Sequence, residues 1–294
     1  MISGIGVRLS KGVTKSVDLD TFKQWCVWLK EAGFDVVDVP ELTHETKRVV
    51  EDAGLLLGSF DVDHVPQLFS REKAKRALAV DSICRQIAQA AELGGQICFM
   101  CLIPEDQSMP RRESFDLFCE VFPAVAAQAE RSNVRIVIEG WPGPKPFYPT
   151  LGCTPEMLRA MFAAVPSPAF CFNYDPSHLV RQDIDYMRFL NEFADRIAHV
   201  HAKDCVLVSE QVYLCGRGQS AVFDQPVKFS EGPWRYTVPG EGTVNWAAVA
   251  FELEKIGYQG AVCIELEDHR YAGSVEDRRR GLRHTLSYLN RYFR

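Results

Sequence analysis

Short runs of aliphatic and β-branched residues alternate with amphipathic segments along the whole chain. The runs fall at 4–9, 34–39, 55–62, 96–102, 135–139, 170–174, 197–201 and 261–265. Most are continuously apolar rather than alternating, which is the pattern of parallel strands covered on the outside by helices. Between them, apolar residues recur at helical spacing. Phe22, Trp25 and Leu29 share one face, and Gly33 follows where a left-handed cap belongs. Ile83, Ile87 and Ala91 repeat the pattern ahead of Gly94 and Gly95. Thr154-Pro155, Asn245, and Ser274 with Asp277 read as helix starts. Eight strand–helix units predict an α/β chain, a (β/α)8 TIM barrel forming a single domain over residues 1–294. No glycine-rich dinucleotide fingerprint follows the first run, which weakens an open Rossmann sheet. One connection is out of proportion: residues 205–238 separate the seventh strand from its helix, where a βα loop usually takes about 2–6 residues. On the face where barrels place their active sites, it is expected to be a lid.

Composition narrows the class. Of 294 residues, 47% are hydrophobic and 24% charged, as in ordinary globular chains. Lys and Arg number 33 against 39 Asp and Glu, a net charge of −6. Such a surface argues against nucleic acid and against an anionic membrane as partner. The ten cysteines sit inside apolar runs, as in Ile97-Cys98-Phe99 and Val262-Cys263-Ile264. Cys98 and Cys101 lie three apart on a strand, so they face opposite sides and read as core packing rather than a metal clip. The apolar runs fall short of the ~20 residues of a membrane span, and no basic-then-apolar leader opens the sequence. The expectation is a reduced, cytoplasmic protein.

Barrel enzymes work at the C-terminal ends of their strands. Those ends carry Arg8, Asp38, Asp61 or His64, Glu139, Asp175, His201 and Glu265. The last four come from successive strands, each delivering one carboxylate or imidazole at the same level. This mixed oxygen and nitrogen set suits one divalent ion per chain, Mn2+ first, with Mg2+, Co2+ or Zn2+ as alternatives. His199 and His201 point to the same side of their strand, so one of them is free simply to fill the barrel. Asp204 reads as a cap of the loop after Lys203, and Glu241 as a loop residue near a helix start.

The sequence resembles the xylose-isomerase-like sugar isomerase/epimerase superfamily, which also includes keto-sugar 3-epimerases, inosose dehydratases and isomerases, and endonuclease IV. The resemblance covers the whole chain. It rests on Ile136-Val137-Ile138-Glu139-Gly140, on Asp175-Pro176-Ser177-His178, and on His199-Val200-His201-Ala202-Lys203-Asp204. Val238-Pro239-Gly240-Glu241-Gly242 ahead of Trp246, and Gly257-Tyr258-Gln259-Gly260 leading to Ile264-Glu265, complete it. The resemblance implies that Glu139, Asp175, His201 and Glu265 ligate the metal and that His178 hydrogen-bonds a substrate oxygen. The epimerases place an arginine six residues after the metal-binding histidine; here that position is Leu207. Arg217 or Arg235 of the insertion stands as a replacement. Trp141 and Trp234 flank the expected mouth and are candidates to stack on a sugar face.

The expected activity is a metal-dependent isomerase or epimerase of a non-phosphorylated sugar, keto-sugar or cyclitol. Glu139 and Glu265 are the expected catalytic pair, one removing a proton next to a carbonyl and the other returning it from the opposite face. If a neighbouring oxygen leaves instead, the same site is a carbon–oxygen lyase, an inosose dehydratase or a keto-glycoside-cleaving enzyme. A DNA-repair endonuclease needs a richer histidine set and a basic groove, against seven histidines and a charge of −6 here. A small carbohydrate is the expected partner, and pairing into a dimer or tetramer is common in the family.

Overall fold

The computed structural model describes residues 2–9, 18–219 and 221–293; Met1 and, within the insertion, Ser220 lie outside the described residues. In chain order the first half runs β1 (Gly4–Arg8), α1 (Leu19–Ala32), β2 (Val36–Val39), α2 (His44–Asp52), β3 (Leu56–Asp61), α3 (Lys73–Glu92), β4 (Ile97–Met100) and α4 (Arg111–Arg131). Then come β5 (Arg135–Glu139), α5 (Pro155–Ala164), β6 (Phe170–Tyr174), α6 (Pro176–Arg181), α7 (Tyr186–Glu192) and β7 (Ile197–Ala202). The chain ends with β8 (Asp204–Leu207), α8 (Ser209–Cys215), β9 (Trp234–Thr237), α9 (Trp246–Lys255), β10 (Ala261–Ile264) and α10 (Val275–Leu289).

Strands β1 to β7 pair in sequence and β10 closes the ring between β7 and β1, all in parallel. Every residue of β2, β4, β6, β7 and β10 is buried, which is why these runs carry no alternation. Closure is tight at β1, where a Cβ on Gly6 would lie 2.6 Å from Cys263 Sγ and 2.7 Å from the Val36 carbonyl oxygen.

The helix ends follow the local chemistry. Gly33 closes α1 at φ 95°, and Thr154 accepts the Met157 N–H with Pro155 in the first turn of α5. Asn245 caps α9, and Ser274 with Asp277 forms a reciprocal capping box on α10. No helix among the described residues is long and apolar enough to cross a membrane.

The 205–238 segment has a structure of its own. It turns back as an antiparallel β8–β9 hairpin outside the barrel, with α8 between the strands. Trp234 and Tyr236 of β9 are buried in the main core, whereas Phe223 is 95% exposed.

Candidate active site

Four side chains converge at the C-terminal mouth. Glu139 is the last residue of β5 and Glu265 follows β10 directly. Asp175 follows β6 and caps α6: its Oδ1 accepts the Ser177 N–H at 2.9 Å and the Ser177 hydroxyl at 2.6 Å. That leaves Oδ2 turned inwards. His178, one turn into α6, is 1% exposed, and its Nδ1 lies 2.7 Å from the Tyr236 hydroxyl, which turns Nε2 the same way. Ligand atoms of Glu139, Asp175, His178 and Glu265 all lie within 4.8 Å of one another, a grouping able to hold a metal ion.

Asp175 Oδ2 and His178 Nε2 are buried, make no hydrogen bond, and stand 3.4 Å apart, with Lys203 Nζ 3.3 Å from Oδ2 and Glu139 Oε2 3.7 Å from Nε2. Buried polar atoms are nearly always satisfied, so two such atoms facing one another beside two more carboxylates fit a divalent cation. His201 approaches the group from below: its Nδ1 is 2.7 Å from Glu139 Oε1 and 3.8 Å from Glu265 Oε2, and its Nε2 is 3.5 Å from Asp38 Oδ2. Of the four strand-end residues, Glu139, Asp175 and Glu265 therefore share one group, with His178 as its fourth member and His201 in contact through Glu139.

The two glutamates sit in different surroundings. Asn173 donates to Glu139 Oε1 at 2.9 Å, and the Cys101 thiol lies 3.7 Å from Oε2. Burial pushes the Glu139 carboxyl up, but the neighbouring imidazoles of His178 and His201 outweigh it and hold the group well below its usual range. Glu265 instead lies between two cations, with Arg8 Nε 3.3 Å from Oε1 and Lys203 Nζ 2.5 Å from Oε2. Burial again opposes ionisation, and Lys203 leads the groups that pull Glu265 down. Lys203 also reaches Glu267 Oε2 at 3.1 Å and Asp175 Oδ2 at 3.3 Å. Arg8 is held by a paired contact to Asp61 at 3.0 and 3.2 Å and lies over the Phe99 ring at 3.9 Å.

These groups enclose a cavity of about 180 Å3, lined among others by Arg8, Cys101, Trp141, His178, Lys203 and Glu267. A roomier cavity, about 750 Å3, lies at the opposite mouth of the barrel and takes in His199 and Tyr258. Catalytic groups of barrels sit at the C-terminal ends of strands, so the small polar cavity is the candidate site.

The other expected residues fall in several places. Trp141 lines the cavity. Trp234 lies under the Arg181 guanidinium at 3.9 Å and borders a neighbouring space of about 370 Å3, together with Tyr148 and Glu231. Arg235 borders another, of about 280 Å3, inside the insertion. Arg217 pairs with Asp183, and Leu207 sits in β8 opposite Trp234. Asp204 does more than cap its loop: it accepts N–H groups from Cys205, Gly240, Val244 and the Trp246 indole, anchoring the hairpin exit to α9. Glu241 pairs with Arg270 and His284 near the surface.

Cys98 is fully buried as expected, and Cys101, just past the end of β4, packs against the cluster of Phe99 and Val137 while its thiol also faces Glu139. Lys203, Glu267 and Tyr236 received no role from the sequence. For Lys203 a signal existed, because 199 and 201 alternate on β7 and 203 continues that spacing one residue past its end.

The family described as xylose isomerase-like TIM barrel matches residues 26–292. Among curated relatives, the inosose dehydratase of Geobacillus thermodenitrificans is 36% identical over 95 residues, 32% of this chain and 29% of that protein. The inosose dehydratase of Salmonella typhimurium is 29% identical over 193 residues, 65% of this chain and 60% of that protein. The aligned part thus spans less than two thirds of these relatives. Among solved structures, an L-ribulose 3-epimerase superposes with a TM-score of 0.72 at 18% identity, covering 98% of this chain and 94% of that one. A D-psicose 3-epimerase with D-tagatose from Clostridium cellulolyticum H10 gives 0.73 at 15%, covering 98% and 99%. A 3-keto-D-glucoside 4-epimerase from E. coli gives 0.68 at 16%, covering 99% and 100%. At these identities the structural likeness speaks to the fold.

Proposed function

We propose, for a chain that belongs to the xylose isomerase-like TIM-barrel family, that the site moves a proton next to the carbonyl of a non-phosphorylated sugar, keto-sugar or cyclitol. The observation that carries this reading is the pair of buried atoms without hydrogen bonds, Asp175 Oδ2 and His178 Nε2, set among Glu139 and Glu265. Glu139, Asp175 and Glu265 would hold a divalent ion, with His201 as the family resemblance implies and His178 beside it. Such an ion, Mn2+ first and otherwise Mg2+, Co2+ or Zn2+, supplies Lewis-acid pull on substrate oxygens.

The remaining work falls to the chain. Glu139 and Glu265 approach from strands separated by β6 and β7. One carboxylate would take the proton from carbon; the other, first protonated by solvent, would return one from the opposite face and invert the carbon, or the first would hand its own proton to the neighbouring carbon and shift the carbonyl. Asn173 and Arg8 fix an oxygen of each glutamate, so neither turns away from the substrate. Trp141 and His178 bound the space for the sugar, and the 205–238 insertion supports it through Tyr236, which holds His178.

A second reading is elimination of a neighbouring hydroxyl. Lys203 favours it: a buried ammonium between Glu265 and Glu267 offers an N–H to a departing oxygen. Sequence relatives named inosose dehydratase point the same way.

The test is an NMR screen of keto-sugars and inososes in D2O with added Mn2+. Deuterium is expected at one carbon of one substrate, with carbon skeleton and oxygens conserved for isomerisation and one water lost for elimination. A panel in which no carbon exchanges contradicts the reading.

A further inference from the structure

Asp38 lies on β2, across the barrel from the acid group, and is wholly buried. Its Oδ1 accepts the Ser59 N–H at 2.6 Å, which fixes the carboxylate. Its Oδ2 meets two imidazoles, His199 Nε2 at 3.0 Å and His201 Nε2 at 3.5 Å. The two rings stand edge to face with centroids 5.3 Å apart, and Phe99 packs against His201 at 5.2 Å. Room for the carboxylate exists because residue 58 is glycine: a Cβ there would collide with Asp38 Oδ1.

A neutral imidazole carries one proton on two nitrogens. In this structure Nδ1 hydrogen-bonds Glu139 at 2.7 Å, whereas Nε2 is buried without a hydrogen bond and faces Asp38 Oδ2 at 3.5 Å. With the proton on Nδ1, the ring bonds Glu139 and offers the acid group no lone pair. With the proton on Nε2, Nδ1 faces Glu139 and Glu265 as an acceptor ready for a cation.

We propose that Asp38 is a positioning residue that holds His201 in this second arrangement, with His199 bracing the same carboxylate. The role rests on the metal reading above and assigns to Asp38 no contact with substrate or ion. Carboxylates that orient a ligating histidine from behind typically govern metal affinity by about 10–100-fold. The rival is direct ligation, since donor atoms of Asp38, His199 and Cys263 also lie within 4.8 Å of one another.

The experiment is a Mn2+ titration of the chelator-stripped full chain, with free ion followed by EPR, for wild type, Asp38→Asn and Cys263→Ser. The wild type is expected to bind one ion per chain. Asp38→Asn should bind about 10–100-fold more weakly and Cys263→Ser within about twofold of wild type. Unchanged affinity in Asp38→Asn overturns the proposal. Two ions per wild-type chain, with one lost in both variants, makes Asp38 a ligand and overturns it as well. A wild type that binds no Mn2+ removes the metal reading itself, and the positioning role with it. Asp38→Asn disturbs a buried cluster and can prevent folding, so the wild type carries a second readout. In the Zn2+-loaded, 15N-labelled protein, two-bond 1H–15N correlations should place the His201 proton on Nε2. A proton on Nδ1 overturns the proposal.

Discussion

Asp175 divides its oxygens between two tasks, and the division explains why so small a group can organise the site. Oδ1 is spent on the backbone and hydroxyl of Ser177, which starts α6 and so positions His178 one turn later. Oδ2 makes no hydrogen bond and faces His178 Nε2 and Lys203 Nζ. Asp175→Asn keeps the cap's acceptor but removes the charge facing His178 and Lys203. It should therefore fold, and Mn2+ content by elemental analysis should drop from about one equivalent to a minor fraction, because an incomplete shell binds weakly. His201→Ala is expected to lose most of its metal for the same reason, and full occupancy in both variants would contradict the site. The individual carboxylates were legible in the sequence because each ends an apolar run. The contacts between them were not: Asp38 meets His199 across 161 positions of sequence, and only barrel closure brings them together. His178 came from family resemblance, while nothing local marked Tyr236 as the group that orients it.

At the level of elements, pattern and structure agree wherever local chemistry decides: buried runs for β5, β6 and β7, caps at Gly33, Thr154, Asn245 and Ser274. Where the pattern predicts a long loop, the chain forms the β8–β9 hairpin. Its strands have four residues each and β8 is only half buried, so they carry no strong period. The hairpin is pinned at two points. Trp234 lies between Arg181 and Tyr236, so Trp234→Ala should lower stability by about 3 kcal/mol, measured by urea unfolding, as for other large buried aromatics; a loss below about 1 kcal/mol would detach β9 from the core.

The second pin is Asp268, which accepts from Thr237 at the end of β9 and from Arg270. Burial pushes its carboxyl up, but bonds from Arg270 and Thr237 outweigh this and lower it from 3.8 to about 2. A group depressed in the folded state contributes stability above its unfolded value, and that contribution is lost as pH falls through the folded one. Asp268→Asn should thus cost about 1–2 kcal/mol at pH 7, allowing for partial solvent screening. The difference from wild type should shrink to roughly half by pH 3. A pH-independent difference would assign the loss to packing.

For the whole molecule, parallel closure sets the chemistry. It brings the C-terminal ends of all eight barrel strands to one mouth, and there it sets Glu139 beside histidines and Glu265 between Arg8 and Lys203. The cavity between them is small, about 180 Å3, and lined by charged side chains from Arg8, Lys203, Glu139, Glu265 and Glu267. The central claim is that these two carboxylates move a proton on a carbohydrate carbon. Its most direct test is the turnover and solvent-deuterium exchange of Glu139→Gln and Glu265→Gln, each saturated with Mn2+ and given the substrate found by exchange. An amide keeps the shape but cannot act as a base near neutral pH, so kcat should fall by at least about a hundredfold in each variant. In a two-base epimerisation, one of them should still exchange the substrate hydrogen with solvent without forming epimer. Wild-type turnover in both fully metallated variants would contradict the account.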